Sequence, residues 1–361
     1  PDEIFNLELE KPTYNGLLLS SKSINPLLAP MNLMGFLHVD ALSQSPRSWV
    51  LVNKTTAFVV CSDASENTTI VRIQLGMQKQ DGTFDSMSFE SVSTLDFRWG
   101  VTILTGNKND LLYVGTNGST PSLFQVNMHT FETQLTLQMP GKVIAALPLT
   151  ASNFAIIGCG FENIIVKVDL SQMKLVANTT ISNSGTLIIG ISDFSTQFSY
   201  WALSDSSVIK IDHATMDLVD SVQLDSSFCP KVSSSVLAGP YIYFGCSNGA
   251  VVRLRSVDLR LPTDSSDYSA WRLDSASAVS LFPALSDGSY AYFGGMGTRT
   301  IHTFDLLSTK SYSGSRFKST MDIPDGDLLG NVAIYDGIFA YWVSKNGTIF
   351  KTSIINPPIT T

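Results

Sequence analysis

A short pattern returns seven times along the chain: a pair of hydrophobic or aromatic residues, a small or apolar residue, a polar turn and an alternating strand. Residues 243–245 and 292–294 (both Tyr-Phe-Gly) show it most clearly. The third residues of the seven copies are 55, 43, 44, 43, 49 and 49 residues apart, at positions 60, 115, 158, 202, 245, 294 and 343. A period of roughly 40 to 50 residues built from short strands is typical of a β-propeller. The sequence therefore predicts an all-β, seven-bladed β-propeller with four antiparallel strands per blade.

Blades three and four show the expected strands most clearly. Alternation of apolar and polar residues between turns predicts strands at 142–149, 153–159, 164–169 and 174–181, and then at 186–191, 198–203, 208–212 and 218–224. The third strand tends to end in an Asx residue, as at Asn127, Asp169 and Asp212. Such a side chain can accept the backbone N–H two residues on. We therefore interpret these residues as turn formers and not as metal ligands or catalytic acids.

Closure of the ring is predicted from the two ends of the chain. The seventh blade has only three strands near the C-terminus, at 331–336, 338–343 and 348–354, whereas residues 4–10 form a lone alternating strand with Phe5, Leu7 and Leu9 on one face. Placing residues 4–10 as the outer strand of blade seven would remove an exposed edge. The propeller then spans 1–355, with residues 11–33 as a connection and the blades within 34–355. Residues 356–361 read as a linker or tail, which suggests that the natural chain continues.

Charge limits the partners of the chain. The net charge is −8 and the pI is about 5.0, so no basic stripe for nucleic acid is expected. Charged residues make up 15% of the chain, below the usual ~25%. No stretch approaches the ~18 uninterrupted apolar residues of a membrane span, so direct membrane insertion is not expected either.

Five Asn-x-Ser/Thr sequons favour a secreted or cell-surface protein with N-linked glycans. Chance alone would produce some sequons in a chain rich in Ser and Thr, but four of the five fall in or beside predicted turns. The candidate sites are Asn53, Asn67, Asn117, Asn178 and Asn346. Three of them fall between the second and third strands of blades one, two and seven, which ring closure makes consecutive. The corresponding turns of blades three to six, at 160–163, 204–207, 247–249 and 295–299, carry no sequon, and we call them the bare sector.

The four cysteines suggest one disulfide. Cys61, Cys159 and Cys246 end the second strands of blades one, three and five, which are not neighbours. Cys229 lies where blade four passes to blade five, at the same end of the ring as Cys246. A disulfide needs a Cα separation of about 4.4–6.8 Å, so our hypothesis pairs Cys229 with Cys246. We expect Cys61 and Cys159 to be buried small hydrophobes.

No catalytic, metal or cofactor site is expected from the motifs. HExxH, GxSxG and Cys-x-x-Cys spacings do not occur, although scattered residues around an axial channel stay open as an alternative. Residues 322–327 resemble a Ca²⁺ loop in their acid spacing but lack the bidentate Glu at the twelfth position, so we read them as a polar turn. His129 and His213 occupy related turns, and we attribute them to the repeat; the other histidines are His38 and His302.

Basic residues recur on the predicted third strands of five blades. We interpret them as a solvated strand face that discourages aggregation. The alternative is a ring of charge for an acidic glycan. The residues are Arg72, Lys167, Lys210, Arg253 and Lys351.

Several stretches resemble a known family. They are residues 113–116 (Tyr-Val-Gly-Thr), 124–131 (Phe-Gln-Val-Asn-Met-His-Thr-Phe) and 165–171 (Ile-Val-Lys-Val-Asp-Leu-Ser). Together they resemble the YVTN branch of WD40-like propellers, and within it the extracellular repeats of stramenopile mastigoneme (flagellar hair) and diatom sexually induced proteins. The resemblance implies an extracellular structural module, such as one at a flagellar surface. The Trp-Asp and Gly-His signatures of intracellular WD40 repeats are absent.

Three functions are compatible with these features. The leading hypothesis is a non-enzymatic, glycosylated subunit or module of an extracellular filament or surface coat, which associates with itself or with other extracellular proteins. The alternative is a cell-surface recognition or adhesion domain that binds a protein or a glycan. The third is a secreted propeller hydrolase or lyase.

Overall fold

The computed structural model describes most of the chain between residues 32 and 353. The described residues are 32–39, 42, 46–53, 55–63, 65–76, 86–106, 110–149, 152–182, 185–193, 197–260, 270–272, 280–295, 298–306, 317–323, 329–335, 337–344 and 347–353. Within them the chain forms seven four-stranded antiparallel sheets and no α-helix. The predicted seven-bladed, all-β propeller is therefore confirmed.

Each blade runs from an inner strand outward to an edge strand. Blade one contains β2 (Pro46–Leu51), β3 (Thr56–Ser62), β4 (Asn67–Gln74) and β5 (Ser88–Arg98), and blade two contains β6 (Gly100–Thr105), β7 (Leu111–Thr116), β8 (Ser122–Asn127) and β9 (Thr133–Gln138). Blade three contains β10 (Val143–Leu149), β11 (Phe154–Cys159), β12 (Ile164–Asp169) and β13 (Lys174–Thr180), and blade four contains β14 (Leu187–Ser192), β15 (Phe198–Leu203), β16 (Ser207–Asp212) and β17 (Leu218–Gln223). Blade five contains β18 (Val232–Ala238), β19 (Tyr241–Cys246), β20 (Ala250–Arg255) and β21 (Ala270–Arg272), and blade six contains β22 (Leu281–Ser286), β23 (Tyr290–Gly295), β24 (Thr300–Asp305) and β25 (Phe317–Asp322). Blade seven contains β26 (Leu329–Tyr335), β27 (Phe339–Ser344), β28 (Thr348–Ser353) and, from the N-terminal side of the chain, β1 (Asn32–His38).

Strand β1 closes the ring. It pairs antiparallel with β28, from Asn32 opposite Ser353 to His38 opposite Thr348, so the last blade combines both ends of the described chain. The prediction that residues 4–10 form this outer strand is wrong, because β1 occupies the position. Residues 4–10 lie outside the described residues, as does the predicted tail at 356–361. Residues 4–10 alternate apolar and polar side chains and so match the sequence pattern of a strand. Strand β1 does not alternate regularly, and its pairing with β28 shifts register between Leu33 and Gly35.

The Asx turns between third and fourth strands form as predicted. The Oδ1 atom of Asp169 accepts the N–H groups of Ser171 and Gln172 at 2.9 and 3.2 Å. Asn127 and Asp212 accept the equivalent pairs of N–H groups in blades two and four. These carboxylate and amide oxygens are thus used by the backbone, in agreement with their interpretation as turn formers.

The small residue in the repeat is explained by packing between blades. A Cβ atom at Gly115 would lie 2.6 Å from Cγ1 of Val143 on the inner strand of the next blade, and one at Gly245 would lie 2.9 Å from Cβ of Leu281. In blades two and five the second strand therefore needs glycine there for the next blade to approach. The core lies in these contacts between neighbouring blades, as in the cluster that joins Trp201 of blade four to Ile156 of blade three.

Three of the five recurring basic residues, Lys210, Arg253 and Lys351, are buried between blades, so their interpretation as a solvated face is wrong, whereas Arg72 and Lys167 are partly exposed. The side chains of Lys210, Arg253 and Lys351 are 3–4% exposed. Each cation lies over an aromatic ring of its own blade, at 4.1 Å for Lys210 over Phe198 and 4.1 Å for Lys351 over Phe339. A third strand lies inside its sheet and the next blade covers its face, so Lys210, Arg253 and Lys351 do not reach solvent.

The same cations bind the following blade through backbone carbonyls. Lys167 Nζ of blade three donates to the carbonyl of His213 in blade four at 2.7 Å, and Lys351 Nζ of blade seven lies 3.5 Å from the carbonyl of Leu75 in blade one. Tyrosines of the second strands make related bonds, because Tyr113 Oη donates to Leu170 O and Tyr200 Oη to Ser256 O. The lysines of the third strands therefore bridge adjacent blades, whereas Arg72 forms an ion pair with Glu90 of its own blade.

Candidate functional site: the upper face of the ring

Antiparallel strands send the loops of every blade alternately to the two ends of the ring. We call upper the end that carries the turns between second and third strands and the connections from each fourth strand to the next blade. The lower end carries the other two kinds of turn. The bare sector thus lies on the upper face.

The sequons are distributed over both faces and the rim. Asn67 is the first residue of β4 and Asn117 follows β7, so both lie on the upper face of neighbouring blades. Asn53 lies on the lower face, in the turn between β2 and β3, and Asn178 is exposed on the outer strand β13. Asn346 lies outside the described residues.

Asn53 presents its sequon on an exposed turn. Its Oδ1 atom accepts the backbone N–H groups of Thr55 and Thr56, both at 2.8 Å, and the hydroxyl of Thr55 at 2.9 Å. The carbonyl half of the side-chain amide is therefore fixed by the turn. Because the residue is exposed, the amide nitrogen is accessible to a glycosylating enzyme.

The two upper-face asparagines are half-buried. Asn67 Nδ2 donates to Asp63 Oδ2 at 3.0 Å, which occupies the nitrogen that a glycan would modify. The backbone N–H of Asn117 donates to the carbonyl of Trp99 at 3.1 Å. The Trp99 side chain is 37% exposed. Glycosylation of Asn67 would leave its side-chain nitrogen a single N–H for the bond to Asp63.

A disulfide lies close to the upper face between blades four and five. Cys229 and Cys246 are joined, with Cα atoms 5.4 Å apart, and they are the two cysteines that the sequence pairs. The neighbouring turn is fixed as well, since Asn248 Nδ2 donates to the carbonyl of Phe228 at 2.8 Å. Cys61 and Cys159 are buried, and burial raises the pKa of each thiol to about 12.

Within the bare sector, blade three presents the most exposed aromatic side chain. Phe161 is 73% exposed at the tip of the turn between β11 and β12, and Lys142 Nζ lies 5.1 Å from its ring centroid. The turn is held on both sides. On one side, the Glu162 carboxylate accepts the backbone N–H of Lys142 at 3.0 Å. On the other side, Asn163 Nδ2 donates to the carbonyl of Gly185 at 2.7 Å, and Asn163 Oδ1 accepts the N–H of Leu187 at 3.0 Å.

Blade four continues the bare sector with a short polar turn. Asp205 Oδ1 accepts the N–H of Ser207 at 3.0 Å, and Ser206 Oγ donates to the carbonyl of Pro230 at 2.8 Å. Ser204 is exposed beside them, and its Oγ accepts the N–H of Thr186 at 2.9 Å. In blades three to five the turns of the bare sector are thus each bonded to a neighbouring connection. Residues 296–297 of blade six lie outside the described residues.

By sequence, the seven inner strands contain one charged residue, Arg47 in β2. Asp287 lies further out, in the turn that precedes β23, where Tyr292 Oη donates to its Oδ2 at 3.0 Å. Burial raises the pKa of Asp287, and burial with the nearby Asp287 carboxylate raises the pKa of Tyr292. Asp287 also accepts two backbone N–H groups, so it acts as a turn former.

The histidines do not meet in the structure. His129 and His213 lie in the equivalent turns of blades two and four, as the repeat predicts, and His129 Nε2 lies 3.1 Å from Asp110 Oδ1. His302 lies on β24, where burial lowers its pKa, and His38 ends β1. Among the described residues no group of three or more His, Cys, Asp or Glu side chains could hold a metal ion. Residues 324–327 of the acidic loop lie outside that part of the chain, so its interpretation as a polar turn stays a prediction.

Sequence reasoning found the bare sector but missed its most exposed residue. Phe161 lies in the turn predicted at 160–163, but turn residues and alternation do not indicate how far a side chain in a turn is exposed. The signal that could have singled it out is its type, because it is the one aromatic residue in the four turns of the bare sector.

Comparison with known proteins adds no family to this picture. No protein-family model matches the chain, and no curated protein matches it. Within the described residues no helix is long and apolar enough to cross a membrane. What the fold and the site can do is therefore argued from the chain itself.

Proposed function

We propose that this chain is a non-enzymatic, glycosylated extracellular propeller that packs through its bare sector against copies of itself or another extracellular protein. In this proposal it is a subunit or module of a filament, such as a flagellar hair (mastigoneme), or of a surface coat. Phe161 is the observation that carries it. Its side chain is 73% exposed at a loop tip, and aromatic residues, Phe among them, are enriched in the cores of protein–protein interfaces.

The rigidity of the ring supports this role. Strand β1 closes the propeller, and the turn that bears Phe161 is bonded to the backbone at Lys142 and at Gly185. A surface that is already ordered loses little conformational entropy when it docks. A partner therefore gains most of the free energy of the contacts it makes.

The sequons give the contact a direction. Asn67 and Asn117 lie on the upper face in blades one and two, beside the bare sector and not within it. Glycans there would obstruct one part of the upper face and leave the bare sector open. Contact between this surface and a different surface of the next copy would be heterologous and open, which is the arrangement that generates filaments.

A recognition or adhesion domain is the second candidate. The stacking of Lys142 on Phe161, with Glu162 beside them, gives the turn both aromatic and charged groups. Such a surface also suits a protein or glycan ligand. Binding by a monomer that never associates with itself would favour this candidate.

The experiment measures association as a function of concentration. Glycosylated wild-type protein should form species larger than the monomer in sedimentation velocity, and Phe161→Ser should weaken association at least tenfold. Val257→Ser is the matched control, because Val257 is 71% exposed on the lower face of blade five. Equal association of the Phe161→Ser and Val257→Ser proteins would remove Phe161 from the interface.

A further inference from the structure

The seven outer strands differ in how their edges are protected. A strand at the edge of a sheet presents unpaired N–H and C=O groups, and proteins commonly protect it with charged residues, proline or bulges. Six of the outer strands carry a titratable residue: Glu90, Asp96 and Arg98 in β5, Lys174 in β13, Asp220 in β17, Arg272 in β21, Lys318 and Asp322 in β25, and His38 in β1. Strand β9 has the sequence Thr-Gln-Leu-Thr-Leu-Gln and carries none.

The outer side of β9 is open within the described chain. Strand β9 ends its sheet and pairs only with β8 among the described strands. Four of its six residues are exposed, and Leu135 at its centre is 48% exposed. The adjacent outer strand, β13, carries both Lys174 and the sequon at Asn178, whereas β9 has neither a charge nor a sequon.

We propose that β9 pairs antiparallel with β9 of a second copy, so that two blades join into one eight-stranded sheet across a twofold axis. Edge pairing supplies backbone hydrogen bonds in the manner of β-augmentation. In a symmetric pair, a charged residue near the axis approaches its own copy, and like charges opposite each other are destabilising. Strand β9 is the outer strand whose residues create no such repulsion.

We place the twofold axis at Leu135, so that each Leu135 faces its copy. The ladder between β8 and β9 shifts register between Gln125 and Val126, and Thr133 Oγ1 donates to Asp96 Oδ1 of blade one at 2.8 Å, so the paired segment begins after Thr133. The side of the sheet opposite Leu135 pairs Gln134 with Thr136 of the second copy, where amide and hydroxyl groups can form hydrogen bonds. A slip of one strand by one residue would oppose Leu135 to Thr136 and Gln134 to Leu137 and would turn the leucines of the two copies to opposite sides of the sheet. An axis at Thr136 would oppose Leu135 to Leu137, and cross-linking distinguishes that register from the one centred at Leu135.

This contact goes beyond the proposed function. It involves the rim of blade two, uses neither the bare sector nor the glycans, and is isologous. A protein could therefore use the β9 contact with or without contacts through the bare sector.

Cysteine cross-linking tests the register. Directly opposed residues have Cα atoms about 4.5–5.5 Å apart, within the range of a disulfide. The Leu135→Cys protein should form a covalent dimer under mild oxidation in more than half of the molecules. In the matched control, Gln134→Cys, each new thiol faces position 136 of the second copy. The Cα atoms of the two new cysteines are then about 8 Å apart, which is beyond the range of a disulfide, so they should not link. The native free thiols of Cys61 and Cys159 are buried and give little background.

A second variant tests the contact without cross-linking. Leu135→Lys places two like charges at the axis and should raise the dimer dissociation constant at least tenfold in sedimentation equilibrium, whereas Val219→Lys on the outer strand β17 should not. Circular dichroism confirms that each variant is folded. A monomeric wild type, equal cross-linking of the two cysteine variants, or an unchanged dissociation constant for a folded Leu135→Lys protein would each overturn the proposal.

Discussion

The Nζ atom of Lys210 lies 2.8 Å from the carbonyl oxygen of Val257, so a cation of blade four binds a turn of blade five. The same ammonium group donates to the carbonyl of Ser256 at 2.9 Å. Burial lowers the pKa of Lys210, while nearby carboxylates, with Asp193 the largest contributor, oppose the shift. The bond couples two sheets that share no strand.

Removal of this cation should destabilise the ring. In Lys210→Met the two carbonyls lose their charged donor, and we expect the free energy of unfolding to fall by about 1–3 kcal/mol. Urea denaturation measures the change through the midpoint at constant slope. Lys174→Met on the exposed face of β13 is the control and should change stability by less than about 0.5 kcal/mol. Equal stabilities of the two variants would show that the bond contributes nothing.

Truncations should locate the closing strand. A chain that begins at residue 31 keeps β1 and every other described strand, so we expect it to melt cooperatively near the temperature of the full chain. A chain that begins at residue 39 lacks β1 and exposes the edge of β28, so it should melt at a much lower temperature or aggregate. Calorimetry of the two proteins checks this. Similar melting temperatures would mean that β1 does not close the ring.

The cysteines should fall into two chemical classes. Non-reducing peptide mapping should recover Cys229 linked to Cys246, and both thiols found free would contradict the structure. Because burial raises the pKa values of Cys61 and Cys159 to about 12, these thiols stay protonated near neutral pH. Alkylation at mildly alkaline pH should therefore label neither of them in the native protein and both after unfolding. Rapid labelling of native protein would contradict their burial.

Stability should depend on pH through Asp287. Burial raises its pKa in the folded state, so the folded protein binds this proton more tightly than the unfolded chain does. Its contribution is fully present below the unfolded pKa of about 3.9 and is lost as pH rises through the folded pKa. Relative to Asp287→Asn, the wild type should thus lose stability over the pH range that begins near the unfolded pKa of about 3.9 and extends through the raised folded pKa.

Denaturation across that range measures the difference between the two proteins. The substitution creates the sequence Asn-Gly-Ser, so both proteins should be produced in a host without N-glycosylation. Parallel stability profiles would show that Asp287 is not perturbed.

The repeat predicted the blades because each unit is locally complete. The third strands of blades three and four were expected to end at Asp169 and Asp212, and they do. Turn residues and period-2 alternation depend on neighbours in the sequence, so they can be read without the tertiary structure. The pairing of Cys229 with Cys246 likewise followed from the order of strands around the ring.

The errors concern what lies between blades. Lys210 and Lys351 looked like solvated residues because alternation cannot distinguish a face covered by water from one covered by the next blade. Their burial depends on Phe198 and Phe339 and on carbonyls more than 40 residues away in sequence. The closing strand was misplaced for a related reason, since pairing between β1 and β28 joins distant parts of the chain.

The most direct test of the account introduces a glycan into the bare sector. Ser204→Asn creates an Asn-Asp-Ser sequon on an exposed turn without changing Asp205 or Ser206. Sedimentation velocity should show assembly of the wild type and of Ser204→Gln, which carries no sequon. It should show weaker assembly of glycosylated Ser204→Asn protein at the same concentration, with recovery after enzymatic deglycosylation. Unimpaired assembly of the glycosylated variant, or a wild type that stays monomeric at every concentration, would contradict the account.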